Sequence, residues 1–310
     1  LHTYLIIFIH YFDRIINKSI MKILMIGATG KFAGLVVPEL KKKGVTVRAL
    51  VQDTNKAAIA KKNGADETVT GNLEDEKSLF QAAMGMDGVF HIIPAFQDEV
   101  EMGLHMVNAA KEAGVKKFVF SSVYHPSLSL VNHANKRPAE EALYKSGMDY
   151  TILQPAMYMQ MLAASWKTAI GQGKIVGPYS KLSKMSYVDY RDVADVAAIA
   201  MTGKELSYGT FELCSPGMYN RLDLATLMSD ALGQAVEAGE ISVDEWAQQA
   251  KIPAGPLREG LTAMNKDYDE FGFSGGNALV LKTILGREPR TVKQFIKELK
   301  KTTAASFQNA

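Results

Sequence analysis

The sequence predicts an α/β protein, a doubly wound parallel sheet with a smaller, mainly helical lobe. Three observations predict it. The stretch Met21–Gly34, MKILMIGATGKFAG, reads as a buried strand that turns through glycines into a helix. From there to Pro155, β-prone runs alternate with amphipathic ones, the pattern of strands joined by right-handed helical crossovers. Beyond Pro155 the chain changes to Met- and Ala-rich helical stretches, loops rich in Gly and Pro (Gly171–Pro178, Pro253–Pro256) and brief strands such as Thr210–Leu213.

Taken in order, Lys22–Ile26 is apolar and forms the first strand, Gly27 and Gly30 permit a tight turn, and Phe32–Leu40 has helical spacing. A side chain at either glycine is expected to stand where a pyrophosphate must approach. The N–H groups and dipole of the helix start favour that anion, so this unit reads as a dinucleotide cradle in a Rossmann-type sheet. Val45–Val51 is the second strand, Asn55–Asn63 a helix, Glu67–Thr70 a short strand and Glu74–Met84 a helix. Gly88–Ile93, Glu99–Ala113 and Lys117–Ser121 continue the alternation, and Arg137–Lys145 and Tyr150–Leu153 complete it around a turn at Gly147. Residues 21–155 thus form the cofactor-binding core, with the ligand expected beyond the carboxyl ends of the strands. Residues 156–301 form a substrate-side lobe whose segments partly return to the sheet. Leu222–Leu232 and Val292–Lys300 have amphipathic helical spacing, and residues 302–310 read as a frayed tail.

Composition narrows the function classes. With 310 residues, 47% of them hydrophobic, the chain can fill a substantial core. Its 35 Lys+Arg against 33 Asp+Glu leave a formal charge of +2, and the basic runs are short. Lys41–Lys43, at a helix end, complements the helix dipole, so no nucleic-acid footprint is seen. Cys214 is the only cysteine, which excludes an intramolecular disulfide and fits a reducing, cytoplasmic setting. In residues 1–20, the apolar run Tyr4–Phe12 is too short, and too interrupted by His10, to span a bilayer. It also lacks a basic leader and a small-residue cleavage site. Met21 is therefore expected to be the natural start, with the preceding segment an extension outside the fold and no membrane partner.

Cofactor choice should be read at the end of the second strand, where an acid holds a ribose 2′-hydroxyl and a cation a 2′-phosphate. Gln52 stands there, followed by Asp53 and Lys56, while Lys31 adds a cation inside the glycine turn flanked by Thr29 and Phe32. The balance favours NADP, with NAD as the alternative. Asn72 is placed to bond an adenine edge and Leu73 to pack on its face, although a turn-forming asparagine is the plainer role. Ile93 and Pro94 end the strand expected beneath the cofactor, and His91 within it reads as a packed histidine. The next strand end carries Ser122 and Tyr124, and the following helix His133 and Lys136. A lysine there can anchor ribose hydroxyls or stabilise an oxyanion, whereas surface lysine is the competing reading.

Several of these segments, read together, resemble the NmrA-like group of atypical short-chain dehydrogenases from Met21 to about Lys300. GATGKFAG resembles that family's phosphate turn, VRALVQD its second strand with Gln52 in place of the usual arginine, and GNLEDEKSL its adenine loop with Asn72 where aspartate is common. AAKEAGVKKFVFSS, EEALYKSGMDYTILQPAMYMQ, YVDYRDVADVAA and LGREPRTVKQFIKE follow in the family's order. The resemblance implies that Lys136 is the active-site lysine, that Pro155, Ala156, Met157 and Tyr158 border the nicotinamide, and that Asp192 caps a helix. It also places Asn132 where typical short-chain dehydrogenases carry a catalytic tyrosine. Tyr124 or His133 would have to substitute. The expected activity is NAD(P)H-dependent hydride transfer to a quinone or similar flat, apolar carbonyl compound. The alternative is a non-catalytic redox sensor with a regulatory protein partner, and a homodimer is compatible with either.

Overall fold

The computed structural model describes residues 20–94 and 98–308, so the extension expected over residues 1–20 lies, but for Ile20, outside the described residues. The chain runs through β1 (Lys22–Met25), α1 (Val36–Lys42), β2 (Thr46–Val51), α2 (Thr54–Lys62), β3 (Glu67–Thr70), α3 (Glu76–Ala83), β4 (Gly88–Ile92), α4 (Glu99–Glu112) and β5 (Lys117–Ser121). The short α5 (Val131–Ala134) then leads into α6 (Arg137–Tyr144), β6 (Asp149–Pro155) and β7 (Met157–Tyr158). Next come α7 (Leu162–Gln172), β8 (Lys174–Gly177), β9 (Met185–Val188), α8 (Tyr190–Thr202), β10 (Gly209–Leu213) and β11 (Met218–Tyr219). The last elements are α9 (Arg221–Leu232), β12 (Glu237–Glu240), α10 (Val243–Gln249), α11 (Pro256–Phe271), α12 (Leu279–Leu285) and α13 (Val292–Gln308).

Among the described residues the main sheet has seven strands, all parallel, in the order β10-β6-β5-β4-β1-β2-β3. The chain leaves β1 toward β2 on one side and returns to β4 on the other, so a crevice opens where the strand order reverses. Alternate residues serve opposite layers. Ile23 and Met25 pack with Val37, Leu40 and Val193 on one face, while Leu24 packs with Leu79, Met106 and Phe118 on the other. Covered on both faces, the central strands β1, β4 and β5 are almost wholly buried and mostly apolar, as in parallel sheets. From the second half of the chain, β10 joins the main sheet beside β6 and α8 packs against α1. The remaining strands form two small sheets, β11-β9-β7 and β12-β8.

Local boundaries follow capping chemistry. Asp53 and Asp75 accept N–H bonds at the heads of α2 and α3, so both helices begin where a carboxylate satisfies exposed donors. The helix expected over Phe32–Leu40 is instead a 3-10 turn, Ala33–Leu35, followed by α1. The capping role expected of Asp192 belongs to Asp189, which accepts from Arg191 N. Asp192 is fully buried one turn on, where it accepts from Arg287 Nη2 at 2.7 Å and from the Arg290 backbone N–H at 2.7 Å. The tail expected to fray from residue 302 continues α13 to Gln308, because Trp166 Nε1 donates to Thr303 Oγ1 at 3.0 Å and ties it to α7.

Candidate functional site

A cavity of about 630 Å³ lies beyond the carboxyl ends of β1, β2, β4, β5 and β6. Its wall includes Gly27, Thr29, Gly30 and Phe32 from the first turn, Gln52 and Lys56 after β2, Gly71 and Leu73 after β3, and Ile93 and Pro94 after β4. Ser121, Ser122, Asn132, His133 and Lys136 continue the wall, followed by Pro155, Met157, Tyr158 and Met161. Leu261, Met264 and Tyr268 of α11, with Phe273, close the apolar side. The volume is that of a cofactor or drug-sized ligand site.

The glycine turn keeps its shape for internal reasons. Gly27 has φ +80°, and a Cβ on it would meet Ile92 Cγ2 at 2.8 Å and Ala33 Cβ at 3.1 Å. A Cβ on Gly30 would lie 3.1 Å from the Gly27 carbonyl oxygen, whose bond from Gly30 N closes the turn at 2.8 Å. The protein's own contacts thus crowd a side chain at either position, in keeping with the tight turn expected of the two glycines.

At the β2 end the divided signal of Gln52, Asp53 and Lys56 separates. The Asp53 carboxylate is engaged by the N–H groups of Asn55 and Lys56 at 2.8 and 3.1 Å. Gln52 and Lys56, which reach the cavity, are joined by a bond from Lys56 Nζ to Gln52 Oε1 at 2.5 Å. Lys31 does not reach it. Its ammonium donates to the Gln160 carbonyl at 3.1 Å and sits 5.6 Å from the Phe32 ring centre. Asn72 also stands outside the wall. Its Oδ1 accepts from Glu74 N at 3.2 Å, the self-closing turn of an asparagine, and only Leu73 faces the cavity.

The β5 end is polar and buried. Ser122 Oγ donates to Glu140 Oε1 at 2.6 Å, and Gln154 Nε2 donates to the same oxygen at 2.9 Å. Burial raises the Glu140 carboxyl above its usual range against those two donors. Lys136, 5% exposed, pairs with Glu99 at the head of α4. It is therefore neither a solvated surface lysine nor an unpaired cation. Burial lowers its ammonium, and the Glu99 charge and hydrogen bond oppose that shift.

Neither substitute for the absent tyrosine fits its expected role. Tyr124 lies outside the wall, buried, with its hydroxyl directed at Cys214 Sγ 3.6 Å away and its ring against His125 and Phe273. His133 lines the wall but is fully buried, and its Nδ1 bonds the His125 carbonyl at 3.1 Å. Donating to a carbonyl requires the proton on Nδ1, and burial lowers the imidazole, so Nε2 is a lone-pair acceptor and not an acid at neutral pH. His91 is fully packed between strands, stacked on Phe120 with centroids 5.6 Å apart, and burial pushes its imidazole down to about 3.

The model of the NmrA-like family matches residues 19–304. The chain belongs to that family. Within the curated relatives, NAD(P)H azoreductase of Xenophilus azovorans is 29% identical over 279 residues, covering 89% of this chain and 96% of the relative. Citrobacter sp. triphenylmethane reductase, solved with NADP(H), superposes with a TM-score of 0.76 at 24% identity, covering 89% of this chain and 99% of that one. The NADPH complex of quinone oxidoreductase QOR2 from Escherichia coli gives a TM-score of 0.77 at 23% identity, over 90% and 99% of the two chains. Both structural likenesses show a shared fold.

Several wall and supporting residues carry no sequence signal of their own. Glu99 and Glu140 read as ordinary acids in the first turns of helices. Leu261, Met264 and Tyr268 form an apolar stripe at helical spacing, which marks a packed face without saying that it packs on a cavity. Tyr158, placed by the family resemblance alone, meets Phe32 edge-on with centroids 4.6 Å apart.

Proposed function

We propose that this NmrA-like protein is an NADPH-dependent reductase that delivers hydride to a quinone or a comparably flat, conjugated acceptor. The observation that carries the reading is one continuous cavity with two chemically different ends. The glycine turn, Gln52 and Lys56 line the cavity and suit a diphosphate and a 2′-phosphate, whereas Asp53, the acid that could hold a ribose 2′-hydroxyl, caps α2 and lies outside the wall. At the other end Met157, Met161, Leu261, Met264, Tyr268 and Phe273 offer an apolar slot to a planar ring. The relatives are named for azo, triphenylmethane and quinone compounds, aromatic or conjugated in each case, which supports a conjugated acceptor.

NADPH, when bound, supplies the hydride. Ser122, oriented by Glu140, and the backbone around Pro155 would position its reactive end, while the wall of α11 excludes water. Lys136 would place positive charge beside the oxygen that becomes anionic on the acceptor. A quinone needs no phenolic acid, because water can protonate the resulting hydroquinone anion; Asn132 is then no obstacle.

The test is NADPH oxidation by purified protein over a panel of quinone, azo and triphenylmethane compounds, with cofactor affinity measured separately. Turnover with a Lys136→Ala loss larger in kcat than in NADPH affinity supports the reading. Tight NADPH binding with no turnover on any acceptor would instead favour a cofactor sensor acting through a protein partner.

A further inference from the structure

Lys136 and Glu99 lie 37 residues apart on separate elements, and the fold brings them together inside the protein. Glu99 is 0% exposed and Lys136 5%, so each charge is withdrawn from water and held by the other. Burying one such ion costs several kcal/mol, and a partner is required to offset it. The pair is not sealed in the core, however, since Lys136 also lines the cavity. One of the ammonium's N–H groups serves Glu99.

We propose that Glu99 is the positioning residue of this site: its carboxylate fixes the Lys136 ammonium at the cavity wall and keeps it charged at neutral pH. The inference rests on reading the cavity as a reductase site. It goes further by assigning the lysine's charge to an acid on a different helix.

The other titratable groups around Lys136 do not supply that charge. His91 of β4 is neutral, pressed down to about 3 by burial and by the Lys136 charge itself. On the lysine's own segment, His133 is held neutral by burial, and Glu140 is turned to Ser122 and Gln154. Burial alone drives Lys136 toward the neutral amine, and Glu99 acts in the opposite direction. Removing the Glu99 charge while keeping its shape must therefore let Lys136 lose its proton at lower pH.

Glu99→Gln is the test, read as the pH profile of kcat and, without cofactor or acceptor, as the titration of lysine side chains labelled at Cε and followed by NMR. The Lys136 signal is identified by its loss in Lys136→Met. We expect the alkaline limb of kcat to move down by about one pH unit or more, a loss of about tenfold on that limb, and the Lys136 titration to move with it. Glu99→Asp, which keeps the charge, should restore most of the limb. An unmoved limb and an unmoved Lys136 titration in folded Glu99→Gln protein would overturn the proposal. Should Glu99→Gln not fold, the unmodified protein decides: a Lys136 signal already neutral at about pH 7 would overturn it, and one still charged there supports it. Absence of turnover in the unmodified protein would count against the reductase reading, and the lysine titration would still judge the pair.

Discussion

The Tyr124 hydroxyl donates to Cys214 Sγ at 3.6 Å, which directs it to the core and leaves it outside the cavity wall. A phenol so placed cannot deliver a proton to an acceptor lying in the cavity. Tyr124→Phe keeps the ring contacts with His125 and Phe273 and removes one weak bond to sulfur. Steady-state kinetics should show kcat and KM within about twofold of the unmodified protein, and the stability loss should stay near 1 kcal/mol or below. A loss of tenfold or more in kcat would return Tyr124 to the mechanism.

Lys56 is the cation at the β2 end whose side chain reaches the cavity. On the proposed reading, replacing it by alanine removes a charge-assisted contact to a 2′-phosphate, a contact in the range of about 1.5–3 kcal/mol. Fluorescence titration should therefore show NADPH affinity falling about tenfold or more. NADH affinity should change little, since NADH carries no 2′-phosphate. Equal losses for the two nucleotides would place the phosphate elsewhere.

Glu140 links stability to pH. Its folded-state carboxyl is raised by burial, so ionisation is harder in the native protein than in the unfolded chain. The sign is that of a group with a raised folded value: its contribution is complete below the ordinary carboxylate range and is lost as pH rises through the folded value. Glu140→Gln mimics the protonated state. Thermal melts should show the variant gaining on the unmodified protein as pH is raised from about 4 to about 8. A difference in melting temperature that does not vary with pH would show that Glu140 is ionised without penalty.

Asp192 joins α8 to the segment before α13 through Arg287 and Arg290. It is fully buried while both arginines are partly exposed, so Asp192→Ala strands the Arg290 N–H and leaves the two guanidinium groups with Asp195 as their remaining carboxylate partner. Breaking a buried pair from one side typically costs about 3–5 kcal/mol; with the arginines near water, urea unfolding should place this loss near about 3 kcal/mol. Since Asp189 and not Asp192 caps α8, the helix itself should persist, and far-ultraviolet circular dichroism of the folded variant should be unchanged.

The sequence by itself determined the parallel sheet, the crevice at its strand ends and the tight glycine turn after β1. Those features are written in local periodicity: strands buried on both faces are apolar throughout, helices repeat on one side, and Gly27 occupies a backbone angle of φ +80° that other residues avoid. It also placed Gln52, Lys56 and Ser122, just beyond strand ends, and Lys136, Pro155 and Met157, by family resemblance, where the cavity wall runs.

Only the tertiary structure decided what those side chains do. Asp53 and Asn72 turned to their own backbone, and Lys31 to the Gln160 carbonyl, since a nearby donor or acceptor satisfies a short or flexible polar side chain as well as a ligand would. Glu99 met Lys136 across 37 residues, and α11 brought Leu261, Met264 and Tyr268 over the strand ends. Charge pairing and burial act through space, between residues that no sequence interval relates. The direction in which burial and pairing push Lys136, His133 and Glu140 therefore became legible once the chain was folded.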